Sequence, residues 1–502
     1  MASSVAHRPT LAIALDGAEP SLVQRLMASG DMPVLASVLK QGSWSAVTSS
    51  ADLGSASVWP TFSSSSEPLE HGINYVWRWN PARMGLVPEH GERIVPWWRA
   101  VALSGRRVLT LDVPFTPFAG VEGVVEVGDW GPHDPWIRFQ SRPPELAEEI
   151  RDDPGVHPYH RDTAPPHDRP SRRYLARVSE WSCRGASLRG ALAEQLIRRE
   201  RPDLAFLVFT ETHRASHLLW QTVAADDPLL AGSQHDGLGH ALVDVFRSVD
   251  SAVGRILESA QPGSRIALMS LHGMRSALGV PTLLHPLLVH LGYATEPHGR
   301  RLSVRDAARM AFAATKEHSP QWVKTAWRKS VSPAVASAVA APTALKAYDW
   351  DRTTAFCLPT DQHGWVQINL RGREARGIVP ETHYAGLCRE VSEGLMAART
   401  VDGRPVVRRV LRLADQNRGR PPLNLPDLVV HWEDAAHNNP VRIAGSGIVS
   451  RPDGRRLTGK HAYEGFLIAA GMNPPAPTVA GHRLHEVIVG DAPPTGGRGP
   501  MV

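Results

Sequence analysis

The sequence predicts an α/β fold around a mainly parallel sheet, and three observations predict it. Four short apolar runs lack the alternation of a half-buried strand, helix-length segments separate them, and each is followed by residues that bind metals or protons. The runs are LAIAL (11–15), RVLTL (107–111), LAFLVF (204–209) and RIALMS (265–270). The residues just after them are Asp16, Asp112, Glu211 with His213, and His272. Open α/β sheets bind ligands beyond the carboxyl ends of their strands, so four separate segments deliver chemistry to one edge.

Between these runs, SLVQRLMASG and MPVLASVLKQG read as helices ending at Gly, and HALVDVFRSVDSAVGRILESA carries apolar residues at helical spacing. Residues 140–175, rich in Pro, Arg, Asp and His, read as a surface excursion. Residues 303–345 are Ala-rich and read as a helical insertion, either a cap over a cleft or a surface appendage. WVQINL (365–370) and DLVVHW (427–432) are the last expected strands. One catalytic domain is expected over 1–490, with 491–502 a disordered tail.

With 502 residues and 42% hydrophobic content the chain can bury a large core. Its net charge of +5 comes from scattered arginines, without the basic, aromatic-interleaved run that tracks nucleic acid, so no nucleic-acid partner is expected. A basic balance does help attract an anionic substrate. The odd and widely spaced Cys183, Cys357 and Cys388 form neither a disulfide framework nor a CxxC zinc knuckle. No 18-residue apolar span occurs, and the apolar run before Asp16 is too short for a signal peptide. A soluble, cytoplasmic protein with no membrane partner is the expectation, its oligomeric state left open.

In TETHRASHLLW (210–220), His213 and His217 stand four apart, which on a helix puts both on one face. Composition alone predicts roughly one such pair among 23 histidines. A zincin would need Glu beside the first His, where this chain has Arg214. Position, not spacing, makes the pair informative: it follows the third of the four strand-like runs.

LDGAEP (15–20) and GSASVWPTFSSSSEPLEHGI (54–73), with Ser55 sixteen residues before the His71 of an HGI, resemble the type I phosphodiesterase/nucleotide pyrophosphatase branch of the alkaline phosphatase superfamily. The resemblance continues in family order through DVPFTP (112–117), ETHRASHLLW, LHGM (271–274), YDWDRTTAF (348–356), GWVQINLRGREARGIV (364–379), PDLVV (426–430) and TGKHAYEGFLIAAG (458–471). It implies a three-layer α/β/α sandwich of alkaline phosphatase type with inserted cap segments. It also implies a first metal at Asp16, Ser55, position 271 and His272, and a second at position 213, His217 and His461, with Ser55 the nucleophile. Two positions depart from the family pattern, His213 and Leu271 each standing in place of Asp. A leucine cannot bind a cation.

The altered site keeps one of three carboxylates and gains a three-histidine set, a common zinc arrangement when one position stays open. The expectation is one tightly held zinc at His213, His217 and His461, faced by Asp16, Ser55 and His272, with a second ion left open; Glu211 or Asp112 are the carboxylates able to replace the missing one. His272 or Asp16 would take the Ser55 proton. The expected reaction is metal-dependent hydrolysis of a small-molecule phosphodiester, phosphoanhydride or phosphomonoester. The alternatives are a transferase or sulfur-ester enzyme using the same serine on a sulfated substrate, and a degenerate binding protein. Other roles stay open at several positions: a helix cap for Asp16, buried structural imidazoles for His272 and His461, and Ser57 as a rival nucleophile. His71 reads as structural, Trp59, Trp77 and Trp79 as core or cleft wall, and Arg214 as solvated or a substrate contact.

Overall fold

In the computed structural model, residues 8–490 are described apart from 90, 132, 134–137, 162–169, 225, 231–236, 278–281, 298–344, 360–361, 435–440, 444, 446 and 451–456. The expected insertion over 303–345 and the tail over 491–502 therefore lie outside the described residues, except for Leu345. The chain expected to be one domain over 1–490 divides into two compact units, the first of residues 1–71, 90–276 and 457–502, the second of 72–89 and 277–456.

The first unit is built on a nine-stranded sheet. In chain order its strands are β1 (Thr10–Leu15), β2 (Gly42–Thr48), β3 (Val108–Leu111), β4 (Val124–Gly128), β5 (Gln140–Arg142), β6 (Leu204–Phe209), β7 (Arg265–Ser270), β8 (Glu464–Ala470) and β9 (Thr478–Ala480). Their order across the sheet is β9-β2-β8-β7-β1-β6-β3-β4-β5. The four apolar runs are four adjacent strands, β7, β1, β6 and β3, joined by parallel ladders. Their carboxyl ends share one edge, as expected; β1 and β6 are buried at every position, which is why neither alternates. Antiparallel β8 extends the sheet beside β7, and β2 follows it.

The helices form where the apolar spacing and stop signals placed them. Helix α1 (Pro20–Ser29) starts on proline and ends on Gly30 in the left-handed conformation. Helix α2 (Pro33–Lys40) stops at Gln41 rather than at the glycine, because Gly42 already begins β2. Further helices include α3 (Val58–Ser64), α4 (Arg172–Glu200), α5 (Glu211–Leu219) and α6 (Ala241–Ser259). Phe62 of α3 stacks on Phe206 of β6 with ring centroids 4.8 Å apart, and Trp59 and Trp98 approach the same ring at 6.4 and 6.2 Å. Such aromatic contacts contribute about 0.5–1.5 kcal/mol each beyond the area they bury, so α3 is held on the sheet beside β1.

Two sequence expectations change here. Residues 140–175 are not all a surface excursion: β5 pairs with β4, and His157 and Tyr159 are buried. The segment reads as polar because its polar groups are satisfied internally, the Tyr159 hydroxyl donating to the Val178 carbonyl at 3.0 Å. WVQINL and DLVVHW do form strands, Gly364–Ile368 and Leu428–Trp432, but in a separate four-stranded sheet of the second unit, where they pair antiparallel. Asp427 anchors that sheet, taking Arg373 at 2.7 Å, the Tyr384 hydroxyl at 2.7 Å and the Ile368 amide at 2.6 Å. Trp79 belongs to this unit's core, against Phe356 at 4.9 Å.

Among the described residues of the first unit, Arg189 of α4 is fully buried and carries an ion-pair network. Its guanidinium meets Glu211 through Nε at 3.0 and 3.1 Å, Asp112 through Nη1 at 2.5 Å, and the Thr210 hydroxyl through Nη2 at 3.2 Å. Asp112 in turn accepts from the amides of Trp130 and Gly131 at 2.8 and 2.7 Å. A side chain at 131 would collide with the guanidinium, so the glycine is required by close approach. Arg189→Leu is expected to cost about 3–5 kcal/mol, because it strands two buried carboxylates. Urea unfolding measures this, and a loss below about 1 kcal/mol would contradict it.

Candidate active site

The site lies in the first unit, past the carboxyl ends of β7, β1, β6 and β4. Asp16 is the first residue after β1 and is buried. Gly17 then turns the chain with φ 67°, and a Cβ there would stand 3.1 Å from Met274 Cε and 3.3 Å from His213 Cα. The Asp-Gly pair thus supplies a carboxylate and the only residue that lets two neighbours close on it.

His213 and His217 lie on α5, which begins at Glu211 directly after β6. A strand continuing to His213 would have put Glu211 on the same face, but residues two apart on a helix diverge by roughly 200°. Glu211 accordingly points to Arg189 and His157, while His213 points to Asp16. Asp112 is likewise taken by Arg189, so neither of the two expected substitute carboxylates faces the histidines, and Leu271 is buried. His461 ends the short strand Gly459–His461, paired antiparallel with Met274–Ser276 so that Met274 faces His461. That pairing carries a residue nearly 250 positions downstream to the pair on α5.

The Nε2 atoms of His213, His217 and His461 lie 2.9, 2.9 and 3.1 Å from one another. From the other side, His217 Nδ1 donates to the Gly459 carbonyl at 2.8 Å and His213 Nδ1 faces Asp16 Oδ2 at 2.7 Å. Each of those acceptors calls for the Nδ1 proton, which leaves two Nε2 lone pairs facing each other. Lone pairs at that separation repel, and either a proton on His461 Nε2 or a cation between the three rings relieves them. Tetrahedral nitrogens about 2.0–2.1 Å from zinc stand about 3.3 Å apart, and the observed triangle needs to open by only a few tenths of an ångström. A carbonyl or carboxylate orienting the far nitrogen is also what metal-binding imidazoles have. The three histidines therefore fit a divalent ion.

The electrostatics keep these imidazoles neutral. Burial, with the neighbouring His213, pushes His217 down to about 3. Burial, with His272, His217 and His213, holds His461 well below the usual histidine range. Burial also lowers His213, against the opposing pull of Asp16. Burial alone would raise the Asp16 carboxyl, but His213 and the hydrogen bonds of His133, His213 and His272 outweigh it and hold Asp16 well below the usual range. At neutral pH the site thus offers neutral imidazoles beside one carboxylate, the forms that metals bind.

His272 lies beside this group. Its Nδ1 faces the Gly273 carbonyl at 3.0 Å and its Nε2 is 3.3 Å from Asp16 Oδ1, which also accepts from Trp59 Nε1 at 3.2 Å. Its ring centroid is 4.5 Å from that of His461. Asp16, His213, His217, His272 and His461 are therefore brought together. Ser55, half-buried, opens the turn Ser55–Ser57 that leads into α3, one helical turn before Trp59. The rival Ser57 is buried with its hydroxyl on the carbonyls of Ser50 and Gly54 at 2.7 and 2.8 Å, which is a structural role. His71 is structural too, its Nε2 on the Thr61 hydroxyl at 3.0 Å and its pKa pushed down to about 3 by burial and Arg93. Arg214 lies over the Tyr159 ring at 4.4 Å.

Sequence reasoning missed His133. Its Nε2 is 2.8 Å from His213 Nδ1 and 3.3 Å from Asp16 Oδ2. The signal was present in VVEVG (124–128), a fifth apolar run followed by a turn and the histidine, but one Glu within it hides the strand. That residue, Glu126, is buried and accepts from the Ala119 amide at 2.9 Å.

A mainly parallel sheet thus carries an acid and imidazole cluster at its carboxyl edge, where open α/β sheets hold their ligands. Residues 10–366 match the family described as type I phosphodiesterase / nucleotide pyrophosphatase. The chain belongs to that family. No curated protein matches it. Among solved structures, phosphonoacetate hydrolase from Sinorhizobium meliloti 1021 in complex with phosphonoformate is similar at 13% identity and TM-score 0.52, over 96% of this chain and 95% of that one. The same protein in complex with phosphonoacetate is 14% identical, with TM-score 0.52 and the same coverage. Both likenesses are of fold. Among the described residues no helix is long and apolar enough to cross a membrane.

The depressed histidines set the acid limb of stability. His71 and His217, at about 3 in the folded chain, titrate near 6.5 once unfolded. Their contribution is whole above about pH 6.5 and shrinks as pH falls toward 3, because the unfolded chain then binds protons that the folded one refuses. Metal-free protein should show a lower urea midpoint at about pH 5 than at about pH 7.5; equal midpoints would contradict this.

Proposed function

We propose that this chain is a metal-dependent hydrolase of a small phosphodiester, phosphoanhydride or phosphomonoester, with Ser55 as nucleophile and one tightly held zinc at His213, His217 and His461. The convergence of three neutral Nε2 atoms, two with their far nitrogens already committed, carries the reading. The ion would neutralise charge on the transferring group's oxygens, and the nitrogen ligands favour zinc over Mg²⁺ or Ca²⁺, which prefer oxygen sets.

The chain's own residues do the rest. Ser55 is weak at its free pKa and needs a proton acceptor. His272 is the candidate acceptor: its Nδ1 is held by the Gly273 carbonyl and its Nε2 stands beside Asp16. Ser55 Oγ then bonds to phosphorus, the ester or anhydride oxygen leaves, and water releases the phosphoryl group from the serine. Asp16, charged in the folded protein, stabilises the protonated imidazole. Trp59 fixes the Asp16 carboxylate from the α3 side, one turn from Ser55. The likeness to a phosphonoacetate hydrolase supports a phosphorus-centred substrate and leaves its leaving group open. The free cysteines support a reducing, cytoplasmic setting.

Two outcomes are expected. Purified protein should hold one tightly bound zinc per chain by elemental analysis; two equally tight ions would overturn the single-zinc reading. With bis-p-nitrophenyl phosphate and Zn²⁺, Ser55→Ala should lose turnover by about 10³-fold or more while Ser57→Ala stays folded and active within about tenfold. Activity of Ser55→Ala within about tenfold of the wild type would remove Ser55 as nucleophile.

A further inference from the structure

His213 turns its two ring nitrogens to two different sets of donors. Its Nε2 belongs to the triangle with His217 and His461, while its Nδ1 lies 2.7 Å from Asp16 Oδ2 and 2.8 Å from His133 Nε2. The third side of this second triangle, His133 Nε2 to Asp16 Oδ2, is 3.3 Å. The three donors come from separate elements, the end of β1, the turn after β4 and helix α5.

Protons fill this triangle poorly. If His213 Nδ1 and His133 Nε2 both donate to Asp16 Oδ2, their two N–H groups crowd each other with the nitrogens 2.8 Å apart. If His133 instead carries its proton on Nδ1, that buried donor has no hydrogen-bond partner among the described residues. Its Nε2 lone pair then competes with Asp16 for a single proton. A cation among the three atoms removes the conflict in either form, since all three then present lone pairs inward.

We propose that Asp16 Oδ2, His133 Nε2 and His213 Nδ1 form a second divalent-cation site, and that His213 bridges it to the three-histidine site as an imidazolate. This rests on the zinc reading above for the first site. On binding of the second ion the Nδ1 proton of His213 passes to water, and the ring then carries one cation on each nitrogen. Two nitrogens and one carboxylate oxygen suit zinc or another borderline divalent metal. The second ion binds more weakly than the first, because the carboxylate and the imidazolate offset only two of four positive charges. His213 then has a purpose that Asp at this position would not serve: the planar ring spans two sites.

Cobalt(II) titration of the metal-free full-length protein tests this, with dialysis stoichiometry, the visible ligand-field spectrum and the magnetic moment as readouts. Wild type should bind one cobalt tightly and a second more weakly, and the second should lower the moment per cobalt through coupling across the shared ring. His133→Ala should keep the first equivalent at wild-type affinity and weaken the second by about tenfold or more. His133→Gln, which keeps a polar side chain of similar reach, should do the same, and the retained first equivalent reports that either variant is folded. A second equivalent that persists unchanged in both variants overturns the site. Two cobalts without magnetic coupling overturn the bridge. Wild type that takes up one cobalt overturns the second site and leaves the three-histidine reading intact, whereas no tight uptake at all overturns both.

Discussion

The buried guanidinium of Arg189 is the constraint on which the site depends. It ties the end of β3 through Asp112 and the start of α5 through Glu211 and Thr210, and Asp112 and Thr210 in turn hold Gly131 in the turn after β4. The turn carries His133 and α5 carries His213 and His217. An arginine can do this because its planar fork reaches several acceptors at once; a lysine at the same depth would be a single point charge. Removing charges from water costs several kcal/mol per ion, and the two carboxylates recover that cost only with this geometry intact. Burial favours a neutral Glu211, yet Arg189 and His157 hold it ionised at about 2.

Glu211 and His213 show how one helix start divides labour. Two residues apart, one carboxylate faces inward to the arginine and one imidazole faces outward to Asp16. The charges of the interior are thereby kept separate from those of the site. Within the site a single carboxylate, Asp16, meets His133, His213, His272 and Trp59. Leu271 beside it is buried and adds apolar surface. The result favours neutral nitrogen donors, whose lone pairs burial protects from protons.

Much of this is legible in the order of the amino acids. The four apolar runs are four adjacent parallel strands because a strand buried on both faces has no reason to alternate. His213 and His217 share a face because α5 begins close enough upstream to include both. Less legible are elements whose polar residues are satisfied by distant partners. Glu126 inside β4 conceals that strand and with it His133, and the polar segment around His157 and Tyr159 reads as surface although both are buried. WVQINL and DLVVHW are recognisable as strands, but not as members of a second sheet.

By itself the sequence determined which residues stand at the ends of the buried strands, and therefore that Asp16, His213, His217 and His272 gather at one edge. Periodicity and strand ends are local properties, written in a few consecutive side chains. The tertiary structure alone decided that Glu211 and Asp112 serve Arg189 rather than a metal, that His461 arrives through a short antiparallel pairing, and that His133 joins His213 and Asp16. Those outcomes depend on which charges are stranded away from water and which partners come within about 3 Å of them, and no window of sequence contains both members of such a pair.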